Sequence, residues 1–461
     1  MAGLSSPGLG SGLDINSLVT QLVAAEKQAP QAQITRAQTS TVTTISALGQ
    51  LKGALSTFNT ALDSLKSLDN FTARTATSSE PEVFSAQADS TAAAGNYDIE
   101  VLQVASAHQL KSTAFASGAG QVVGTGTLTF TAGTKTFQVA IDPSHNTLAG
   151  IRDAINQATG NTDNVRATII NATDGAHLVL SGTATGAANA ITVSQSGGDG
   201  GLAALEYSTS VTTHYTEGRK AQDSIVAVQG FTTHSDTATV SNAIDGITLT
   251  LLKDDVGEVH TLTIATDKTS VAARIKTFVD QYNAMEKTLA GLRSYEPTTK
   301  KAGPLLGDAM LRGIESDIRS KLTDVNGGSS VIRTLASIGI TTQKDGSLSL
   351  DNTKLNTALE SNYDEVAKLF ASDNGVATRL SKVLTPQLDS GSALDLRSVG
   401  LNKKSVDLQK EQTQLDARMV DVEARYRKQF TALDSLLSNL QNQSTFLTQQ
   451  LSSIAKIGSS S

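Results

Sequence analysis

Six histidines, His108, His145, His177, His214, His234 and His260, are the side chains of this sequence best suited to metal or proton chemistry. None falls in a His-x-His or His-Glu-x-x-His pattern, the spacings that bring two imidazoles to one metal from a single strand or helix. Imidazoles that bind metal or move protons come with companion ligands, and the sequence supplies none, so surface or structural roles are expected for all six. A Ser-His-Asp triad is assembled only by folding and stays open, but no Gly-x-Ser-x-Gly elbow supports one. Cysteine is absent, which removes disulfides, thiolate nucleophiles and Cys-ligated metals. Two readings of that absence stand: a reducing cytoplasm, or export as an unfolded chain for which a stray thiol is a hazard. Gly8-Leu9-Gly10-Ser11-Gly12 follows no strand, lacks the Lys of a phosphate loop and has the wrong glycine spacing for a dinucleotide fold. It reads as a flexible lead-in. Gly197-Gly198-Asp199-Gly200-Gly201 occurs once and reads as a loop, not as a calcium-binding repeat. Asn171-Ala172-Thr173 and Asn442-Gln443-Ser444 match the glycosylation sequon, with nothing to suggest a secretory-pathway host. Asp254-Asp255 reads as solvated loop charge. The expectation is a protein that is not an enzyme and uses no cofactor or metal.

With 461 residues the chain has room for about three domains at roughly 150 residues each. Aromatic residues are 4 % and Trp is absent, which suits long, thin packing layers better than one large core. A net charge of -7 argues against nucleic acid, which attracts basic faces. Lys and Arg form no stripe, so an anionic membrane surface is not an expected partner either. The start, MAGLSSPGLGSGLDIN, has no basic segment followed by an apolar one, and so does not read as a secretory signal. No apolar run approaches the roughly 20 residues that span a bilayer. Export, if it occurs, uses a route that reads no such signal.

Apolar spacing outlines the elements. From Leu408 onward the large apolar residues are Leu408, Leu415, Met419, Val422, Tyr426, Phe430, Leu433, Leu437, Leu440, Leu447, Leu451 and Ile454. Steps of three, four and seven predict a long helix from about Leu401 with a coiled-coil seam. Val422, Tyr426 and Phe430 are spaced four and four, a stutter that locally unwinds a supercoil, and Ser444 takes a core position between Leu440 and Leu447. The N-terminal end answers with Ile15, Leu18 and Leu22 on a helix capped by Asp14 and ended by Pro30. A second helix is predicted from about Ile34 to Leu68, with a seam of Ile45, Leu48, Leu51, Leu55, Phe58, Leu62 and Leu65. Thr39, Ser40, Thr41, Thr43 and Thr44 are poor helix formers, so packing must supply most of its stability. Short helices are marginal alone, and the C-terminal helix is the obvious partner of the first. The bundle is either intramolecular or completed by other subunits, or both, with residues above Phe430 packing internally and those below it packing between chains.

Between these ends the period becomes two. Tyr97, Ile99 and Val101, then Leu128 and Phe130, then Phe137, Val139 and Ile141 read as strands. So do His177 to Leu180 after the Asp174-Gly175 turn, Ile225 to Val228, Ile247 to Leu251, and Leu262 with Ile264. A short helix is expected at Thr147 to Ala158, and Asn242 to Gly246 reads as turn-rich. Helix returns at Ser270 to Leu292, Asp308 to Leu322, Asn352 to Leu359 and Glu365 to Phe370. Ile338 to Ile340 and Leu348 to Leu350 form a hairpin around Asp345-Gly346. The fold class is multidomain α+β: N- and C-terminal helices forming a coiled-coil or bundle leg, with two nested β-rich head domains inserted between them. The expected division is 1–40 as an N-terminal leg segment, 41–74 with 271–430 as a helical body, 75–110 with 220–270 as an inner β domain, 111–219 as a tip β domain, and 431–461 as a C-terminal leg helix. A chain that joins its two ends and projects its middle has the plan of an assembly subunit.

Several ordered segments carry a resemblance. Gly10-Ser11-Gly12-Leu13-Asp14-Ile15, with Leu18-Val19, Leu22-Val23 and Ala25-Glu26 ahead of Pro30, resembles the N-terminus of the flagellar filament cap protein family, the flagellar hook-associated protein 2 family. Gly95 to Val101, followed by Ala105 to Leu110, looks like its first head-domain strand. Ala221 to Gly230 and Asn242 to Leu249 resemble its inner head domain. Leu306-Gly307-Asp308 with Leu311-Arg312, and Ile338-Gly339-Ile340 with Asp345-Gly346, resemble its helical body. Arg425-Tyr426, Gln429-Phe430, Ala432-Leu433-Asp434 and Phe446 to Gln450 resemble its C-terminus. The likeness spans the chain except 111–219. Two departures are visible: the inner-domain motif usually carries an aromatic and an Asp near Val226 and Gln229, and Phe446 stands where Tyr is more usual.

The resemblance implies a structural cap at the distal filament tip, outside the bacterial cell. It implies a homo-oligomeric ring of about four to six subunits, as closed symmetry favours. Flagellin is an implied partner, as are the hook-filament junction proteins and a flagellar export chaperone binding near the C-terminus, with type III export. The leg seam would be Ile15, Leu18, Leu22, Leu433, Leu437, Leu440, Leu447, Leu451 and Ile454. The helical body seam would be Ile45, Leu48, Leu55, Phe58 and Leu62 with Leu415, Met419, Val422, Tyr426 and Phe430. An alternative is an extracellular adhesin whose exposed tip domain binds host glycans or mucus.

Overall fold

The protein is described from a computed structural model, which covers residues 14–325 and 331–458, with side chains as far as residue 452. The Gly8 to Gly12 run and most of the Gly10 to Ile15 motif therefore lie outside the described residues. The chain divides into a helical unit, residues 1–68 with 272–461, and a β-rich unit, residues 69–271.

The first helix, α1, runs unbroken from Ile15 to Asp63 with Pro30 inside it. This corrects the expectation that Pro30 ends one helix and that another begins near Ile34, and the boundary drawn at residue 40 falls within a single helix. Proline removes one backbone donor and crowds the preceding turn. The helix continues because the residues on both sides of Pro30 are packed, as shown below. The Thr-rich stretch stays helical in part because the Thr39, Thr43 and Thr44 hydroxyls donate to carbonyls four residues back, which satisfies them without leaving the helix.

The β-rich unit contains β1 (Arg74–Ser78), β2 (Phe84–Ala88), β3 (Gly95–Gln103), β4 (Ala107–Ser112), β5 (Gly126–Ala132) and β6 (Lys135–Ile141). After helix α2 (Leu148–Gln157) come β7 (Val165–Ala172), β8 (Gly175–Thr185), β9 (Ile191–Ser196) and β10 (Tyr215–Arg219). It closes with β11 (Ser224–Val228), β12 (Phe231–Ser235), β13 (Thr239–Ile244), β14 (Ile247–Leu251) and β15 (His260–Thr266). Four antiparallel sheets result. The orders β1-β15-β3-β11-β12 and β13-β14-β2 enclose one core, built on Phe84, Ile99, Val101, Val226, Leu249 and Leu262. The orders β10-β4-β8-β7 and β6-β5-β9, with α2, enclose another, built on Leu110, Phe130, Phe137, Ile151, Leu178 and Leu180. Alternation sets these faces: Leu128, Phe130 and Ala132 point inward and the intervening threonines do not, as a sheet covered on one side requires. Thr147 caps α2 by accepting from Gly150 N. The Asn242 to Gly246 stretch is not all turn. β13 continues to Ile244 through a register shift, and Asp245-Gly246 makes the turn.

The helical unit adds α3 (Lys268–Leu292), the two-residue strands β16 (Tyr295–Glu296) and β17 (Lys301–Ala302), α4 (Ala309–Thr323), and the hairpin β18 (Ile340–Thr342) and β19 (Leu348–Leu350). Helices α5 (Asn352–Ser361), α6 (Tyr363–Ala371), α7 (Val376–Leu388) and α8 (Ala393–Gly458) follow. Ile338 ends a 3-10 turn instead of joining the hairpin strand, because Gly339 adopts a left-handed conformation (φ 89°) between them. Helix α7 was not expected, and α8 begins eight residues ahead of Leu401. Phe58 meets Phe278 and Tyr282, each with ring centroids 5.7 Å apart, and Phe278 meets Phe370 at 5.7 Å. Arg293 and Arg319 each bind both Glu286 and Glu315, at 2.5–2.8 Å, tying α3 to α4. Both carboxylates are buried, so the guanidinium partners are what make their burial tolerable.

Candidate assembly interface

Helices α1 and α8 pack side by side. Leu415, Met419 and Val422 form a buried cluster with Val23, Ile34 and Tyr426. Polar pairs flank it. Lys27 Nζ donates to Asp416 at 2.6 Å, Gln31 and Gln412 exchange side-chain amide bonds at 2.6 and 2.8 Å, and Arg427 donates to Asn16 Oδ1 at 2.6 Å. Numbers rise along α1 as they fall along α8, so the pair is antiparallel. Tyr426 Oη donates to Glu26 Oε2 at 3.1 Å, and Glu26 is the residue whose carbonyl loses its usual donor at Pro30. The Lys27 ammonium, and then the Gln412 amide, hold the Asp416 carboxyl below its ordinary range. At the start of α1 the Asp14 carboxylate accepts from Ser17 N at 3.0 Å, satisfying one of the free donors of a helix start.

Exposure changes along α8. Leu408, Leu415, Met419 and Val422 are buried, and Tyr426 and Phe430 are half-buried. Beyond them Leu433 is 44 % exposed, Leu440 52 %, Leu447 59 % and Leu451 66 %, with Leu437 half-buried. Ile454 lies outside the residues whose side chains are described. Leu436 and Phe446, which the seam reading passed over, are exposed as well. On α1, Ile15 and Val19 are buried whereas Leu18 and Leu22 are exposed. The inward face of α1 is thus Ile15, Val19 and Val23, spaced four and four, and the leucines one step earlier stand on another face. Leu48, Leu55, Phe58 and Leu62 are buried and Ile45 is half-buried. In the antiparallel register the Leu415 to Tyr426 segment meets Val23 and Ile34, so the body seam is two packing sites and not one.

The histidines sit in the β-rich unit. His108 is buried, accepts from Ile191 N at Nδ1 (2.8 Å) and faces Glu217 Oε1 with Nε2 (3.1 Å). Nδ1 thus acts as an acceptor while Nε2 points at a carboxylate. His177 is the reverse: Nδ1 lies 2.7 Å from the Ser112 carbonyl and Nε2 3.0 Å from Asp174 Oδ1, two acceptors that favour the imidazolium. His145 pairs with Asp142 and His260 with Asp255. Among the described residues no group of three His, Asp or Glu side chains could hold a metal, and no helix is long and apolar enough to cross a membrane.

Comparison with known proteins points one way. The sequence model of the flagellar hook-associated protein 2 N-terminus matches residues 11–108, and that of its C-terminus matches residues 221–442. The B-type flagellar hook-associated protein 2 of Pseudomonas aeruginosa is 35 % identical over 470 residues, covering 98 % of each chain. Flagellar hook-associated protein 2 of Escherichia coli K12 is 35 % identical over 467 residues, again covering 98 % of each. The crystal structure of the D1, D2 and D3 domains of the flagellar cap protein FliD from Escherichia coli aligns with a TM-score of 0.62 at 33 % identity, covering 77 % of this chain and 99 % of that one.

Proposed function

The chain belongs to the flagellar hook-associated protein 2 family, and on that premise we propose that it is a structural cap at the distal end of the bacterial flagellar filament, outside the cell. In this reading a small ring of subunits retains exported flagellin and promotes its folding and insertion into the growing filament. The ring also meets the hook-filament junction proteins, and before export the C-terminal segment is held by a chaperone. The role is structural, without catalysis.

The observation that carries the mechanism is the exposed apolar row of Leu433, Leu440, Leu447 and Leu451 on α8, with Leu18 and Leu22 exposed on α1 as well. Contiguous exposed apolar surface marks an interaction site. Residues 441–452 are exposed without exception, so this part of α8 forms a leg whose partners are other chains. Segments that gain order on binding give contacts that are individually weak, which suits a cap that must shift whenever a flagellin is added. Replacing Leu440, Leu447 and Leu451 together by Asp tests this. The account expects soluble protein with an unchanged thermal midpoint, together with loss of filament growth. Filaments of normal length from that variant would overturn it.

A further inference from the structure

Phe231, the first residue of edge strand β12, is 81 % exposed, more than any other large apolar side chain among the described residues. It is presented and not merely loose. Gln229 and Gly230 both have positive φ, at 50° and 82°, the geometry of a tight hairpin turn, and Gln229 N donates to the Asp98 carbonyl at 2.9 Å. The Asp98 side chain is exposed beside that turn. The second feature lies on the face of sheet β10-β4-β8-β7 opposite its core. A groove of about 600 Å³ there has Ile170, Ala172 and Val179 among its apolar walls and Lys111, Thr216 and the Asp174–His177 pair (3.0 Å) among its polar ones, the Asp174 carboxylate being engaged by His177. Ile170 is 52 % exposed within it.

We propose that Phe231 of one copy seats in the Ile170–Val179 groove of a second copy, with Asp98 of the first facing Lys111 of the second. The proposal rests on the reading that the chain works as a homo-oligomer. A projecting side chain on one surface and its receptor on another make a heterologous contact, which propagates head to tail and closes into a ring when the rotation allows. A Phe covers about 150–250 Å², well short of the roughly 800 Å² per partner of a stable interface. Phe231 is therefore an anchor within a wider contact, in the manner of an aromatic hot spot, and the charge pair sets its register.

The absence of cysteine makes the test clean. Full-length chains carrying only Phe231→Cys are mixed with chains carrying only Ile170→Cys and oxidised, with Thr298→Cys as an exposed control. Heterodimers should form faster than either homodimer and faster than any pair with the control. Asp98→Lys on the first chain or Lys111→Glu on the second should each slow cross-linking by up to about fivefold, the range of an exposed ion pair, and both together should restore it. Dominant Phe231→Cys homodimers would mean a hairpin-to-hairpin contact and would overturn the proposal, as would heterodimers no faster than the control. Flagellin leaking from a strain without the gene reports on the cap reading independently. Leakage combined with failed cross-linking would reject the groove contact alone.

Discussion

His177 shows how local partners decide the charge of a side chain. The Ser112 carbonyl first, and then the Asp174 carboxylate, raise its pKa above the ordinary 6.5. A group with a raised folded pKa stabilises the fold below its unfolded pKa, and this contribution fades as pH rises through the folded value. The thermal midpoint of His177→Asn should therefore fall below that of the parent at about pH 5.5, and the gap should narrow as pH rises and the imidazolium loses its proton. A difference that stays constant as pH rises would show that the imidazolium is not the stabilising form. His108 differs in having a donor, the Ile191 N–H, at Nδ1. Nothing in the sequence distinguishes the two, since the difference lies in one backbone N–H from β9 against one carbonyl from β4.

At the scale of elements, Pro30 is the informative case. Its missing N–H leaves the Glu26 carbonyl without a helical donor, while Tyr426, Gln412 and Asp416 hold the turns around it. Pro30→Ala should stabilise this stretch by up to about 3 kcal/mol and slow amide exchange for residues 20–34; unchanged exchange would mean that packing on α8 already fixes the segment. Much of the architecture was legible because cap and period agree. Asp308 ahead of α4, Thr147 ahead of α2 and Asp345-Gly346 in the β18–β19 hairpin are turn or cap residues next to strong periodicity. Strands β2 and β12 were not legible: FSAQA and FTTHS each hold one large apolar residue, β2 is placed by β14, distant in sequence, and β12 follows β11 through a Gln229-Gly230 turn that lacks the usual Asn-Gly or Asp-Gly signal. Helix α7 was hidden by Pro386 and its Thr and Ser residues. Within the candidate interface, the spacing marks Leu433, Leu440, Leu447 and Leu451 as one row, but not their exposure, nor that of Leu436 and Phe446. The buried face of α1 is not marked either, because Ile15-Val19-Val23 and Ile15-Leu18-Leu22 fit a helix equally well, and only the antiparallel contact with α8 chooses between them.

On the scale of the whole molecule, the helical unit keeps one part of α8 for its own packing and leaves the rest uncovered, and the β-rich unit presents both a projecting Phe and a groove. Both features are those of a subunit completed by other chains. Full burial along α8 ends at Val422, half-buried side chains continue to Ser438, and residues 439–452 are all exposed, so this distal part of α8 contributes little to the stability of the isolated chain. The most direct measurement is the amount of flagellin in the culture medium of a strain lacking this gene, with swimming scored alongside. The account predicts abundant monomeric flagellin outside non-motile cells, reversed by the parent gene and not by the Leu440, Leu447 and Leu451 to Asp variant. Normal filaments and no leaked flagellin in the strain without the gene would contradict it.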